Sequence, residues 1–174
     1  MRVTQVESAL WLPHDVWGLV DALADALRAH GWRMASAESC TGGLVAAACT
    51  ARAGSSDWFE RGWVTYANAA KVEELGVPVA LLDAHGAVSE PVARAMAAGA
   101  AQRAGVPAAL AITGVAGPTG GSAAKPVGTV WLGWSVAGTV SAHGHRFDGD
   151  RAAVRGQAAV AALQGLLQRL RAVA

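Results

Sequence analysis

Arg33-Met34-Ala35-Ser36-Ala37-Glu38-Ser39-Cys40-Thr41-Gly42-Gly43-Leu44-Val45-Ala46-Ala47-Ala48-Cys49 is the stretch on which the fold turns. Arg33 to Ala37 reads as a short strand, and Leu44 to Cys49 is a run of small apolar residues that belongs on a buried helix. Between them the polar cluster Ser39 to Gly43 sits at a strand-to-helix turn. Open α/β sheets build their ligand crevices at such strand ends, so this turn is where function is sought.

Working outward, Val16, Leu19, Val20, Leu23 and Leu27 recur at helical spacing between Asp15 and Gly31, which predicts an amphipathic helix stopped by glycine. Arg61 to Tyr66 reads as a strand. Asn68 looks like the N-cap of a helix ending near Gly76, and Ser89-Glu90-Pro91 opens another that runs toward Gly105. Pro107 to Thr113 is an apolar strand that empties into Gly114-Val115-Ala116-Gly117-Pro118-Thr119-Gly120-Gly121, a loop excluded from helix and sheet by its glycines. Val127 to Val136 and Thr139 to Phe147 read as adjacent strands turning at Ala137-Gly138, and Asp150 caps a long final helix bearing Val154, Ala158, Ala161, Leu166 and Leu170. Alternation followed by a late hairpin predicts an α/β fold, a mixed sheet with helices on both faces.

Composition bounds the function. A chain of 174 residues fits one domain, residues 1–174, and folding at that size buries roughly 70% of the unfolded surface. With 14 Lys+Arg against 13 Asp+Glu and no run of like charge, there is no electrostatic footprint for nucleic acid. An anionic ligand must therefore meet a local site. Met1 to Pro13 lacks the form of a signal peptide and no apolar stretch reaches 18 residues, so no membrane is expected. Two cysteines, Cys40 and Cys49, are too far apart on one helix for a disulfide, which fits a reducing cytoplasm.

Three polar groups stand out, each after a predicted strand: Glu38 to Gly43, Tyr66 to Lys71, and Thr113 with its glycine-rich loop. At a helix N-terminus Ser39 would have unpaired N–H groups beside it, able to hold an oxyanion or phosphate, and Gly42 and Gly43 would admit a ligand close to the backbone. The competing reading makes Ser39 or Thr41 a helix cap. A serine needs a base, and no histidine lies near; a partly buried Lys71 would have its pKa lowered by desolvation and could take the proton. Tyr66, five residues earlier, could relay that proton or protonate leaving ammonia. The competing reading makes Lys71 a solvated helix lysine and Asn68 only a cap.

The loop Gly114 to Gly121 matches neither the dinucleotide nor the phosphate-loop spacing; it is a ligand mouth or a long turn. Arg151 could clasp a phosphate with its forked guanidinium, or pair with Asp148. His143 and His145 share one side of a strand, but two ligands without a third do not make a zinc site. Cys40 is a rival nucleophile or a packing residue. No metal and no cofactor is expected.

Taken together, Ala37 to Gly43, Val64 to Lys71, Gly86 to Ser89, Thr113 to Pro118, Lys125 to Val130 and Phe147 to Arg151 closely resemble, in order, the motifs of the CinA carboxy-terminal domain family, over about residues 14 to 171. The resemblance implies a three-layer α/β/α sandwich with a mixed, mainly parallel sheet, and a homodimer. It also implies metal-independent amidase activity: nicotinamide mononucleotide plus water gives nicotinic acid mononucleotide plus ammonia, in pyridine nucleotide salvage. By motif, Ser39 is the nucleophile, Lys71 its base and Tyr66 a proton relay. Thr113 and Arg151 match substrate-contacting positions, Arg151 through phosphate; Thr41, Gly42, Gly43, Asn68, Gly114 and Gly117 complete the expected binding set around a small nucleotide. Family loops vary over Gly120 to Pro126, which puts Lys125 outside that set. Longer relatives carry an amino-terminal nucleotide-hydrolase domain, so the stand-alone form is expected here. The rival reading is a non-catalytic module that holds a nucleotide or a protein partner in DNA uptake.

Overall fold

β1 (Met34–Glu38) lies near the middle of a five-stranded sheet ordered β2-β1-β3-β4-β5, with β2 spanning Phe59–Val64, β3 Ala108–Gly114, β4 Thr129–Val136 and β5 Thr139–Arg146. This is a computed structural model, and it describes residue 12 and residues 16–173. β1 pairs in parallel with β2 and β3, while the β3–β4 and β4–β5 pairs are antiparallel. Four strands therefore run one way and β4 alone runs against them. The expected mixed, mainly parallel α/β sheet is the one observed.

Helices cover both faces. α1 (Val16–His30), α2 (Leu44–Thr50) and α6 (Arg151–Ala172) build the larger core with Met34, Leu110, Leu132 and Trp134. α3 (Asn68–Leu75), α4 (Val79–His85) and α5 (Glu90–Ala104) cover the other face, where the sheet offers Ala35, Ala37, Ala109 and Ala111. Because β1 leads to β2 on one side and β3 lies on its other side, the strand order reverses at β1. That reversal opens a crevice beyond the carboxyl ends of β1 and β3. Among the described residues no helix is long and apolar enough to cross a membrane.

Several local expectations are corrected. Asn68 is not an N-cap: Ala67 holds that position in extended backbone, and Asn68 is the first helical residue. β2 ends at Val64, two residues before Tyr66, so Thr65 and Tyr66 belong to the turn that feeds α3. Gly114 ends β3, paired with Val130, instead of opening the loop. α4 was not anticipated; it is seven residues long with no fully buried side chain, so its sequence carries no strong period. Asp150 caps α6 as expected, accepting from the Ala153 N–H at 2.9 Å, and Ala137-Gly138 makes the β4–β5 turn with both φ positive. Asp15, the expected start of α1, lies outside the described residues.

Candidate active site

Ser39 is the first residue beyond β1, and its N–H still donates to Ile112 of β3 at 2.9 Å. On the other side the Thr65 N–H donates to the Glu38 carbonyl at 2.9 Å. The backbone at Ser39 is thus held from both neighbouring strands. Lys71 stands one turn into α3 and reaches back over the end of the sheet; it is buried, with 1% exposure. Its Nζ lies 3.2 Å from Ser39 Oγ, 2.8 Å from the Thr65 carbonyl oxygen and 3.1 Å from that of Tyr66.

As an ammonium, Lys71 donates one hydrogen to each of these three oxygens; as a neutral amine it gives two hydrogens to the carbonyls and turns its lone pair to the Ser39 hydroxyl. Burial lowers the Lys71 pKa, opposed only by the nearby Cys40 thiol, and no carboxylate forms an ion pair with it among the described residues. The sequence left open whether Lys71 is a solvated surface residue; the structure places it in the interior. Cys40 is also buried, and its thiol pKa is pushed up to about 11, chiefly by burial, so at neutral pH it is the protonated thiol.

Ser39, Cys40, Lys71 and Thr113 line a cavity of about 350 Å³, with Tyr66, Asn68, Gly114, Gly117 and Arg151 around its walls. The Thr113 hydroxyl donates to the Ala87 carbonyl at 2.9 Å, tying β3 to the loop before α5. Arg151 bridges the cavity wall, donating from Nη1 to the Gly117 carbonyl at 2.8 Å and from Nη2 to the Tyr66 hydroxyl at 2.7 Å. It does not pair with Asp148. Tyr66 meets Lys71 through its backbone carbonyl, whereas its hydroxyl belongs to Arg151. A second cavity of about 630 Å³ adjoins at Ala116 and Arg151 and is lined also by Arg155.

Thr41, Gly42 and Gly43 do not line the cavity, and the reason is Glu38. Its carboxylate accepts from the Thr41 hydroxyl at 2.8 Å, the Gly43 N–H at 3.1 Å, the Val45 N–H at 3.1 Å and the Ala46 N–H at 2.9 Å. Gly42 donates its N–H to the Ser39 carbonyl at 3.1 Å. Of the N–H groups from Thr41 to Gly43 expected to hold an oxyanion, those of Gly42 and Gly43 are therefore already spent. Among the described residues no backbone carbonyl takes the N–H of Cys40 or Thr41, and the Cys40 N–H lies beside its own thiol. Sequence reasoning gave Glu38 and Arg155 no role, although an acid just before a helix is a capping signal; Arg155 donates to the Thr41 carbonyl at 2.9 Å. Lys125 donates to the His85 carbonyl and is not among the residues that line the cavity. His143 and His145 face one another on β5 with ring centres 4.8 Å apart, and no third ligand joins them among the described residues.

Residues 18–170 match the family described as the CinA C-terminal domain. A Pseudomonas putida protein named nicotinamide-nucleotide amidohydrolase PncC is 53% identical over 150 residues, which cover 86% of this chain and 94% of that protein. One of the same name from Escherichia coli (strain K12) is 51% identical over 152 residues, covering 87% and 92% respectively. A crystal structure of a competence-damaged protein (CinA) superfamily protein from Klebsiella pneumoniae 700603 superposes with a TM-score of 0.86 at 41% identity, covering 90% of this chain and 98% of that one.

Proposed function

The chain belongs to the CinA C-terminal domain family, and from that premise we propose that it hydrolyses the carboxamide of nicotinamide mononucleotide to nicotinic acid mononucleotide and ammonia. The observation that carries the mechanism is the buried Lys71 Nζ at 3.2 Å from Ser39 Oγ, with two carbonyls to take its hydrogens. Lys71 accepts the serine proton as Oγ bonds to the carboxamide carbon. The N–H of Cys40, a residue of the cavity wall, receives the oxyanion, a role expected of the N–H groups from Thr41 to Gly43. As the carbon–nitrogen bond breaks, Lys71 returns the proton to the leaving nitrogen and ammonia departs. Water, deprotonated by the same amine, then attacks the acyl ester; the acid leaves and the Ser39 hydroxyl is restored.

Arg151 receives the substrate phosphate, a task suited to its fork of donors, and the Tyr66 hydroxyl aims it. Relay of the proton through Tyr66 is the less favoured role, since its hydroxyl bonds Arg151 and not the amine. Thr113, Asn68, Gly114 and Gly117 shape the remaining wall.

The test is ammonia release from nicotinamide mononucleotide by wild-type protein, beside Ser39→Ala and Cys40→Ala. Wild type and Cys40→Ala should turn over, whereas Ser39→Ala should lose turnover by a factor of at least about 1,000 while still binding product. Absence of ammonia from well-folded wild type would leave only a binding module. Substantial activity in Ser39→Ala would reject serine as the attacking group.

A further inference from the structure

We infer that Glu38 is a positioning residue for the reaction: an internal carboxylate that gathers the hydrogen-bond donors of residues 41–46 and thereby fixes the geometry of the Ser39 turn. The inference rests on the amidohydrolase reading above. Glu38 is 1% exposed, and four hydrogen bonds hold its carboxylate. Oε2 accepts from the Thr41 hydroxyl, Gly43 N–H and Val45 N–H; Oε1 accepts from the Ala46 N–H. All four donors come from residues 41–46, immediately after the nucleophile.

Only a carboxylate suits this arrangement, because it presents two acceptor atoms and no donor. A glutamine has the same shape but must turn its NH2 toward either the Ala46 N–H or the group of three donors, setting donor against donor. Glu38 touches neither the Ser39 hydroxyl nor Lys71. Its action passes through the backbone: the segment it grips begins at Thr41, the turn is closed by the Gly42 N–H on the Ser39 carbonyl, and Arg155 holds the Thr41 carbonyl from α6. With the later N–H groups engaged, that of Cys40 on the cavity wall is the one left for the developing oxyanion. Displacing reacting groups by about 1 Å costs on the order of 100-fold in rate, so a loosened turn should show in kcat.

The experiment compares wild type with Glu38→Gln in steady-state hydrolysis of nicotinamide mononucleotide. Product affinity is measured by calorimetry for both in a Ser39→Ala background, and thermal unfolding confirms that each is folded at the assay temperature. The expected result is a kcat lower by about 100-fold with product Kd changed by less than about threefold, a split that a general loss of folded protein would not give. A folded Glu38→Gln whose kcat stays within about threefold of wild type overturns the inference, as does a Kd that weakens in step with kcat. If Glu38→Gln does not fold, Thr41→Val removes one donor at nearly constant volume. It should lower kcat about tenfold at unchanged Kd, and an unaltered kcat there is equally fatal. Failure of the amidohydrolase reading shows separately, as a wild type that releases no ammonia.

Discussion

A lysine amine serves as a base only in the fraction of molecules where it is uncharged, and Lys71 is placed to enlarge that fraction. Burial depresses its folded pKa, while the unfolded chain returns it to about 10.4. The acid limb of kcat/KM should therefore rise with pH and level off at a pH below the ordinary lysine value, as a pH–rate profile from 5.5 to 10.5 would measure. An inflection at the unperturbed lysine value would refute the desolvated base. Stability carries the same sign: between the folded and unfolded pKa values the unfolded state binds the extra proton, so this residue's contribution improves as pH rises and worsens as pH falls toward the folded value. Subtracting urea-unfolding data for Lys71→Met from those of wild type at several pH values isolates that slope from the opposite one expected of the buried thiols Cys40 and Cys49.

At the scale of elements, the starts of α2 and α6 use different devices. α2 begins at Gly43 with a left-handed φ of 97°, and its first turn is capped from the preceding strand by Glu38. α6 is capped locally by Asp150, next to the residue that bridges to Tyr66. Asp150→Ala should cost about 1 kcal/mol in urea unfolding, as a lost N-cap does. It should also raise KM more than it lowers kcat, because the fraying turn carries Arg151 and not Ser39. An unchanged KM alongside the stability loss would separate that cap from substrate binding.

Across the whole molecule, the surplus of alanine and glycine lets helices approach the sheet closely. A Cβ on Gly133 of β4 would run into the Ala93 carbonyl of α5, and one on Gly165 of α6 into the Trp134 indole, whose Nε1 donates to the Ala162 carbonyl at 2.9 Å. Gly133→Ala should destabilise by about 1–3 kcal/mol, read as a lower urea midpoint, because a backbone carbonyl inside a packed helix cannot step aside. A wild-type midpoint would mean that α5 shifts freely, contrary to the packing seen. The alanine-rich face at Ala35, Ala37, Ala109 and Ala111 belongs to the same scheme: it brings α5 onto the strands whose ends carry Ser39 and Thr113.

The sequence alone determined the α/β class, the order of the main elements, most caps and turns, and the location of the three polar motifs at strand ends. Each of these follows from interactions within a few residues: apolar period, capping oxygens and turn glycines. It did not reveal α4, whose seven residues have no buried face to announce them, nor that Ala67 takes the cap position before Asn68. Only the tertiary structure decided that Lys71 is buried against Ser39, 32 residues away, and that the Tyr66 hydroxyl answers to Arg151 at a separation of 85. The same holds for Gly42 and Gly43, whose N–H groups look free in the sequence until the Ser39 carbonyl and the Glu38 side chain claim them. Desolvation and competition for a hydrogen bond are set by whichever groups arrive in the same space, and those come from strands and helices that a local pattern cannot bring together.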